Sequence, residues 1–594
     1  MLLSQKYNLH IYLLLVLLKE CFCDSKVEVE IKQGLLYGKR EKTYLKEKSY
    51  YTFKGIPYAE APVGELRFKA PNPHKGWDGA YQAYKNKPTC VQQNTKMRNG
   101  DTYGISGSED CLYISVFTPS LQGSAAVVVF DHHDNFRTSY NGTRKYSPEF
   151  FAEEDVIVVT ISYRLSIFGF LTTEDDVIPA NNGLRDYLLG LQWVKENIKS
   201  FGGNPDRVTL MGSKGGATVA NIMLYSKQAT DLFNAVTIQS GTTYEAIYFP
   251  KNPKQFAFKL AKLVGVDTNE TSALLEELQK IDALTLYSNA SDLISNIDEY
   301  EKYQRSVFPF APTIEPENPN AILTVMPEDG NIVNDVPVLI GFNSREGLDH
   351  TSYLLFDPNL LKQIKDFFVH FPIRSNYRFD VNNTAFNDYK EDIQKFYFKE
   401  GRLHYNNLLD YATYVGDTVQ NYAINYAAKK LAADLKSPTY YYMFDFYGTI
   451  NENMLFMATN VRWGIENWGA TVMDELCYLH VCNRIRKNYD YLKGLVSTQN
   501  EIKVLKKMVR LWTNFAKTGN PTPTKSDDVL KSLVWQPIDK ASDNLKYLHI
   551  TKNFRMEMNP LGKREKFWDT TLKKYAEMAV DGVAQRIEKS HDEL

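Results

Sequence analysis

Residues 207–224 read Arg207-Val208-Thr209-Leu210-Met211-Gly212-Ser213-Lys214-Gly215-Gly216-Ala217-Thr218-Val219-Ala220-Asn221-Ile222-Met223-Leu224. The first five residues have the apolar, β-branched make-up of a strand. The next five include three glycines, which permit a turn too tight for residues carrying a Cβ. From Ala217 onward, small and apolar residues run on as in a buried helix. Strand, tight turn and helix in immediate succession form the joint of a sheet whose strands are linked by helices and so lie parallel.

The alternation extends in both directions. Residues 125–130 and 156–163 are short apolar runs, as expected for strands covered on both faces. Residues 184–199 place Leu188, Leu191, Val194 and Ile198 at helical spacing, and Gly202-Gly203 ends that helix. Further strands are predicted over 336–342 and 439–445, and amphipathic helices over 503–517 and 569–589. We find no internal repeat and no low-complexity linker. The expected architecture is one large α/β domain over 24–590, a central, mostly parallel, twisted sheet flanked by helices.

The chain has 594 residues, 69 Lys+Arg against 71 Asp+Glu, and 43% hydrophobic residues. That balance excludes collagen-like, disordered and multispan-membrane classes, and it lacks the basic surplus that neutralises a phosphate backbone, so no nucleic acid partner is expected. Residues 1–23 carry Lys6, the apolar run 11–18 and Cys21-Phe22-Cys23 before Asp24, the layout of a secretory signal cleaved after Cys23. An apolar core this short cannot cross a hydrocarbon layer that needs about 20 residues. The chain closes on His591-Asp592-Glu593-Leu594, the HDEL form of the endoplasmic reticulum retention address, which a receptor reads in the lumen. The mature chain is therefore expected in the endoplasmic reticulum lumen, with the retention receptor as a partner and no membrane span.

Four cysteines lie outside the leader. Cys90 and Cys111 have 20 residues between them, and a bridge in an oxidising lumen would be worth roughly 3 kcal/mol. If the segment holding Cys477 and Cys482 is helical, their spacing sets them on different faces, so free buried thiols and a second bridge both remain open. Sequons at Asn141, Asn269, Asn289 and Asn382 would accept glycans where exposed.

From about 29 to 568 the sequence resembles the type-B carboxylesterase and cholinesterase family of α/β-hydrolases. The resemblance rests on Phe53-Lys54-Gly55-Ile56-Pro57-Tyr58-Ala59 with Leu66-Arg67-Phe68, on Ser108-Glu109-Asp110-Cys111-Leu112-Tyr113, and on Tyr163-Arg164 with Phe168-Gly169-Phe170. The longest continuous match is 182–205, and Trp512-Thr513-Asn514-Phe515-Ala516 with Gly519-Asn520-Pro521 extends it. The motifs occur in order and at sensible spacing, which makes the assignment specific.

The resemblance implies four catalytic parts. The nucleophile belongs at the centre of Gly-x-Ser-x-Gly, where a strained turn projects it above the sheet; here the centre is Lys214, and Ser213 is one place off. The base belongs shortly before Asp474-Glu475-Leu476, because imidazole can take and return the serine proton; the matching residue is Val472. His480 falls where the family has an aromatic residue and is expected to pack in the core. The orienting carboxylate is retained as Glu346 in Gly341-Phe342-Asn343-Ser344-Arg345-Glu346-Gly347. The oxyanion hole resembles His-Gly-Gly-Gly-Phe in the family, and this chain has His132-His133-Asp134-Asn135-Phe136, with side chains at all three glycine positions.

Loss of the nucleophile alone costs a serine hydrolase roughly a million-fold. The expected function is therefore that of a catalytically inactive family member acting by binding. The resemblance implies two surfaces: the former substrate gorge, suited to an apolar small molecule, and the outer face, which related non-enzymatic proteins use for protein partners. Adhesion members carry a membrane anchor and none is read here, which favours a lumenal partner or a folding-assistance role. No cofactor is expected.

Two other readings have a chemical basis. A desolvated Lys214 could attack a carbonyl as an amine, but the predicted arrangement is an ion pair between Lys214 and Glu346 across the space a histidine would fill, since an unpaired buried charge is expensive. Asp131, His132, His133 and Asp134 offer metal-ligand atoms, yet neighbours on an extended segment point to opposite faces, so no metal site is expected.

Overall fold

The structure, a computed structural model, describes residues 26–585 apart from 94–103, 132, 140–144, 294–307, 357–359, 361–369, 399–406, 461–467, 495–499 and 525. The leader, the terminal tetrapeptide, the sequon at Asn141 and His132 lie outside the described residues.

The segment 125–130 forms the strand Ala125–Asp131 and shows why its residues are apolar without alternation. Val127 and Val129 enter one hydrophobic core while Val128 and Phe130 enter a second on the opposite face. Parallel neighbours lie on both sides, Ile157–Ile161 with Val128 beside Val158, and Gly203–Ser213 with Val129 beside Leu210. Each residue of this strand is thus enclosed by sheet in one direction and by helices in the other. Beyond Gly203–Ser213 the parallel run continues through Ala235–Gln239, Val338–Asn343, Thr439–Phe444 and Lys546–Ile550. Antiparallel strands extend it at both ends, giving a mixed sheet of thirteen strands among the described residues.

The helix Asn182–Asn197 lays Leu184, Leu188, Leu191 and Val194 into the first core. It tightens into a 3₁₀ turn, Ile198–Phe201, and stops at Gly202, whose φ of 78° is the left-handed conformation that favours glycine. On the opposite face the helix Asn500–Thr518 packs Met508, Leu511, Trp512 and Phe515 against Phe130 and Met211. Arg164, just beyond Ile157–Ile161, locks helix to sheet. Its Nε and Nη2 donate to the two carboxylate oxygens of Asp186 at 2.7 and 2.6 Å, and its Nη1 reaches Lys69 O at 2.8 Å.

The structure corrects the predicted helix 569–589. The observed helix is Lys563–Glu577, and the chain then folds into the hairpin Ala579–Val580 and Val583–Ala584. Asp581 and Gly582 take φ of 51° and 72°, the positive values demanded by a two-residue hairpin turn for which Asp-Gly is a preferred pair. The segment at Cys477 is likewise no long helix: a 3₁₀ turn, Glu475–Tyr478, leads to the short strand Val481–Cys482. That bend brings the Cys477 and Cys482 Cα atoms to 5.3 Å and bridges them. Cys90 and Cys111 are bridged as expected, with Cα atoms 5.0 Å apart. Asn269 and Asn382 are exposed in turns, whereas Asn289 sits in the helix Ala283–Asp292 with its amide donating to Thr285 O at 2.9 Å.

Candidate functional site

The elbow keeps its shape around the wrong residue. Lys214 stands between the strand Gly203–Ser213 and the helix Gly215–Tyr225 with φ 52° and ψ −121°. A non-glycine residue held in such a sparsely populated region costs about 1–3 kcal/mol, which the surroundings must over-determine. They do so through close approach: a Cβ on Gly212 would lie 2.1 Å from Gly216 O, and one on Gly216 would lie 2.4 Å from Asp131 O. Lys214 N donates to Gln239 O at 3.0 Å, and Thr218 N to Lys214 O at 3.1 Å. Ser213 is fully buried at the strand end and its hydroxyl makes no hydrogen bond.

The predicted ion pair with Glu346 is not what forms. Lys214 Nζ lies 3.0 Å from Asp349 Oδ2 and 3.4 Å from Asp134 Oδ1. Glu346 is already engaged: its Oε1 accepts from Ser240 Oγ at 2.5 Å, Asn343 N at 2.7 Å and Asn343 Nδ2 at 3.2 Å. Asp349 stands three residues further on, one turn into the helix Gly347–Phe356, and meets the ammonium. Burial raises the Asp349 carboxyl, but Lys214 foremost, together with His350 and Lys145, pulls the other way and the group is held below its ordinary value. Glu346 feels Lys214 only through space.

Val472 fills the position of the base and is buried. It presents no proton-transfer group, and its carbonyl accepts from Asn453 Nδ2 at 2.6 Å. Three residues further on stands a second carboxylate, Glu475, which accepts from Asn343 Nδ2 at 2.6 Å and Gln239 Nε2 at 3.2 Å. Burial pushes Glu346 up to about 7; burial, with repulsion from Glu346, pushes Glu475 up to about 8. Carboxyls raised on folding bind protons in the folded chain that the unfolded chain has released. Their stabilising contribution is present at acidic pH and is lost as pH climbs from the ordinary carboxylate range, near 4.5, through about 7 to 8. Glu475→Gln should therefore gain stability relative to the native chain between pH 5 and pH 8, read as the urea midpoint at each pH; a difference that does not change with pH would refute the assignment.

The oxyanion segment is rebuilt. Asn135 and Phe136 keep left-handed backbones, φ 51° and 60°, where the family resemblance has glycine at the first of them. His133 turns back so that its Nδ1 meets Asp131, and its ring lies over Tyr163 at 3.9 Å. Asp134 carries a carboxylate to Lys214, and the Asn135 side-chain oxygen accepts from Tyr248 OH at 2.8 Å. Of the candidate metal ligands within the described residues, His133 binds Asp131 and Asp134 turns to the lysine. Among the described residues the cluster with metal-ligand spacing is Glu452, Cys477 and Cys482, whose two sulfurs are bonded to each other. His480 is buried and stacks on Phe130 at 4.2 Å, as expected of a core residue.

Sequence reasoning missed Asp349 and His350. Burial lowers the His350 imidazole despite Asp349 beside it. Both residues directly follow the Glu346 motif, and helical spacing from a glycine start was the signal that could have placed them over the elbow. Above them opens a cavity of about 250 Å³ whose wall includes Asn135 and His350.

A left-handed elbow between a parallel strand and its helix, with a carboxylate at the end of a later strand, defines an α/β-hydrolase. The chain belongs to the carboxylesterase family, whose sequence model matches residues 25–568. It is 29% identical to juvenile hormone esterase of Tribolium castaneum, over 95% of this chain and 98% of that one. Neuroligin-2 of Mus musculus is 26% identical over 87% of this chain and 64% of that one. The crystal structure of juvenile hormone esterase from Manduca sexta with OTFP covalently attached superposes with a TM-score of 0.71 at 25% identity, covering 92% of this chain and 100% of that one.

Proposed function

We propose that this protein is a catalytically inactive member of the carboxylesterase family, resident in the endoplasmic reticulum lumen, that acts by binding an apolar small molecule in the former gorge or a protein partner on its surface. The observation that carries the reading is the elbow itself, where an ammonium lies between Asp349 and Asp134 at the place of a nucleophile. The same pair argues against an amine-based enzyme, because two flanking carboxylates favour the charged, non-nucleophilic form. Val472 in place of a base supports it independently.

The purified mature chain should show no turnover of a short-chain aryl ester above the buffer rate. Turnover abolished by Lys214→Ala would instead establish an amine-based enzyme. For the location, deleting residues 591–594 should send the chain into the medium; full retention without them would refute the address reading.

A further inference from the structure

At the end of the sheet far from the chain's start, an imidazole stands between two carboxylates. Lys546–Ile550 pairs with Thr439–Phe444 on one side and, antiparallel, with Phe554–Met558 on the other, and Phe554–Met558 ends the sheet among the described residues. A last strand is held by one neighbour's ladder and by side chains. His549, half-buried on Lys546–Ile550, sets its Nε2 3.1 Å from Asp445 Oδ2 and its Nδ1 3.2 Å from Glu557 Oε2. Asp445 directly follows Thr439–Phe444, and Glu557 lies on the last strand. Glu557 Oε2 also accepts from Tyr547 OH at 3.1 Å. Asp445 is anchored in turn. Its N donates to Ile550 O at 2.8 Å, and its carboxylate is hydrogen-bonded to Ser344, whose Oγ accepts from Ala470 N at 3.2 Å. The anchor thus reaches the segment that carries Val472.

An ionised carboxylate only accepts, so contact with both ring nitrogens calls for an N–H on each, and only the imidazolium has two. A neutral imidazole has one N–H and must turn a lone pair to Asp445 or to Glu557. We infer that His549, Asp445 and Glu557 form a proton-operated clasp, which closes Phe554–Met558 against the end of Thr439–Phe444 when His549 is charged and slackens when it is not. Among the described residues, the other charges about the clasp are Arg345, which acts on Asp445, and Arg555, which stands opposite His549 in the strand register and is exposed. Tyr547, its ring 5.8 Å from the imidazole, stays a neutral phenol, because burial and then Glu557 raise it. The hydrogen bond to Asp445 raises the imidazole above its ordinary 6.5 against burial, and Glu557 adds to the rise. The clasp's stabilising contribution is therefore complete below pH 6.5 and is lost as pH climbs through the raised value. All three side chains are partly exposed, so the effect is local: it changes how often the last strand opens, not whether the chain folds.

Two mass-spectrometric readings on the full mature chain test this. Deuterium exchange at the imidazole C2 position, followed in the peptide that holds His549, gives that residue's own titration midpoint. The midpoint should lie above 6.5 in the native chain and fall in Glu557→Gln, a substitution at an exposed position. Amide exchange at 554–558, corrected for its intrinsic pH dependence, should lose protection by about three- to fivefold between about pH 6 and pH 8, the shift in an opening equilibrium that a partly exposed ion pair supports. His549→Gln should hold that protection constant over the same range. The reading is local because Glu346 and Glu475 also lose stability as pH climbs, and a global unfolding curve would mix the two effects. A midpoint at or below 6.5, a midpoint unmoved by Glu557→Gln, or protection that falls equally in His549→Gln would overturn the clasp.

Discussion

Exchanging Lys214 for serine and Val472 for histidine together is expected to turn a protein without ester turnover into a slow esterase. The elbow already holds the required backbone, φ 52° and ψ −121°, so a serine there needs no rearrangement of the turn. Glu346 is in place to orient a histidine at 472, with its Oε2 buried and making no hydrogen bond. Either substitution alone should do little, because nucleophile and base act as a unit. Loss of that unit costs roughly a million-fold in turnover, and loss of one oxyanion donor about 100- to 1,000-fold. The double variant should thus rise clearly above the native chain and stay at least about 100-fold below an esterase with an intact oxyanion hole, since Asp134 and Asn135 still occupy that segment. Lys214→Ser also strips the cation from Asp349 and Asp134, but their side chains are 36% and 31% exposed, so water softens the penalty. A double variant that is folded and inert would mean that the elbow retains its shape without its function.

The second large effect is structural. Arg164→Met should destabilise the chain by about 3–5 kcal/mol, the cost of leaving a buried charge without its partner. Asp186 is fully buried, and burial already raises its carboxyl despite the guanidinium. The surroundings have no slack to adapt: a Cβ on Gly169 would lie 2.2 Å from Arg164 O, and one on Gly183 2.5 Å from the same atom. Urea unfolding followed by tryptophan fluorescence measures the change, and a loss below about 1 kcal/mol would show that the pair is replaceable.

The fold was legible because its joints carry their own chemistry. Glycines at 212 and 216 mark close backbone approach, and the unbroken apolar runs at 125 and 156 mark strands enclosed on both faces. What failed did so for physical reasons that single-residue spacing hides. The helical period over 569–589 is genuine to Glu577, but Asp581-Gly582 turns the chain back, and a turn pair inside a periodic stretch should have outweighed the period. The absence of serine and histidine at the elbow and at 472 could be read directly. The partner of Lys214 could not: a long, flexible side chain chooses among several carboxylates, and Glu346 was already hydrogen-bonded to Ser240 and Asn343. Asp349 wins because the helix starting at Gly347 carries it back over the elbow.

The claim that the elbow holds a paired ammonium and no nucleophile is tested most directly by incubating the native mature chain with a fluorophosphonate and weighing the intact protein, with Lys214→Ser/Val472→His as the labelled control. The account predicts no mass increase for the native chain and one adduct, at residue 214, on the control. A stoichiometric adduct on the native chain, whether at Lys214, Ser213 or elsewhere in the gorge, would contradict it.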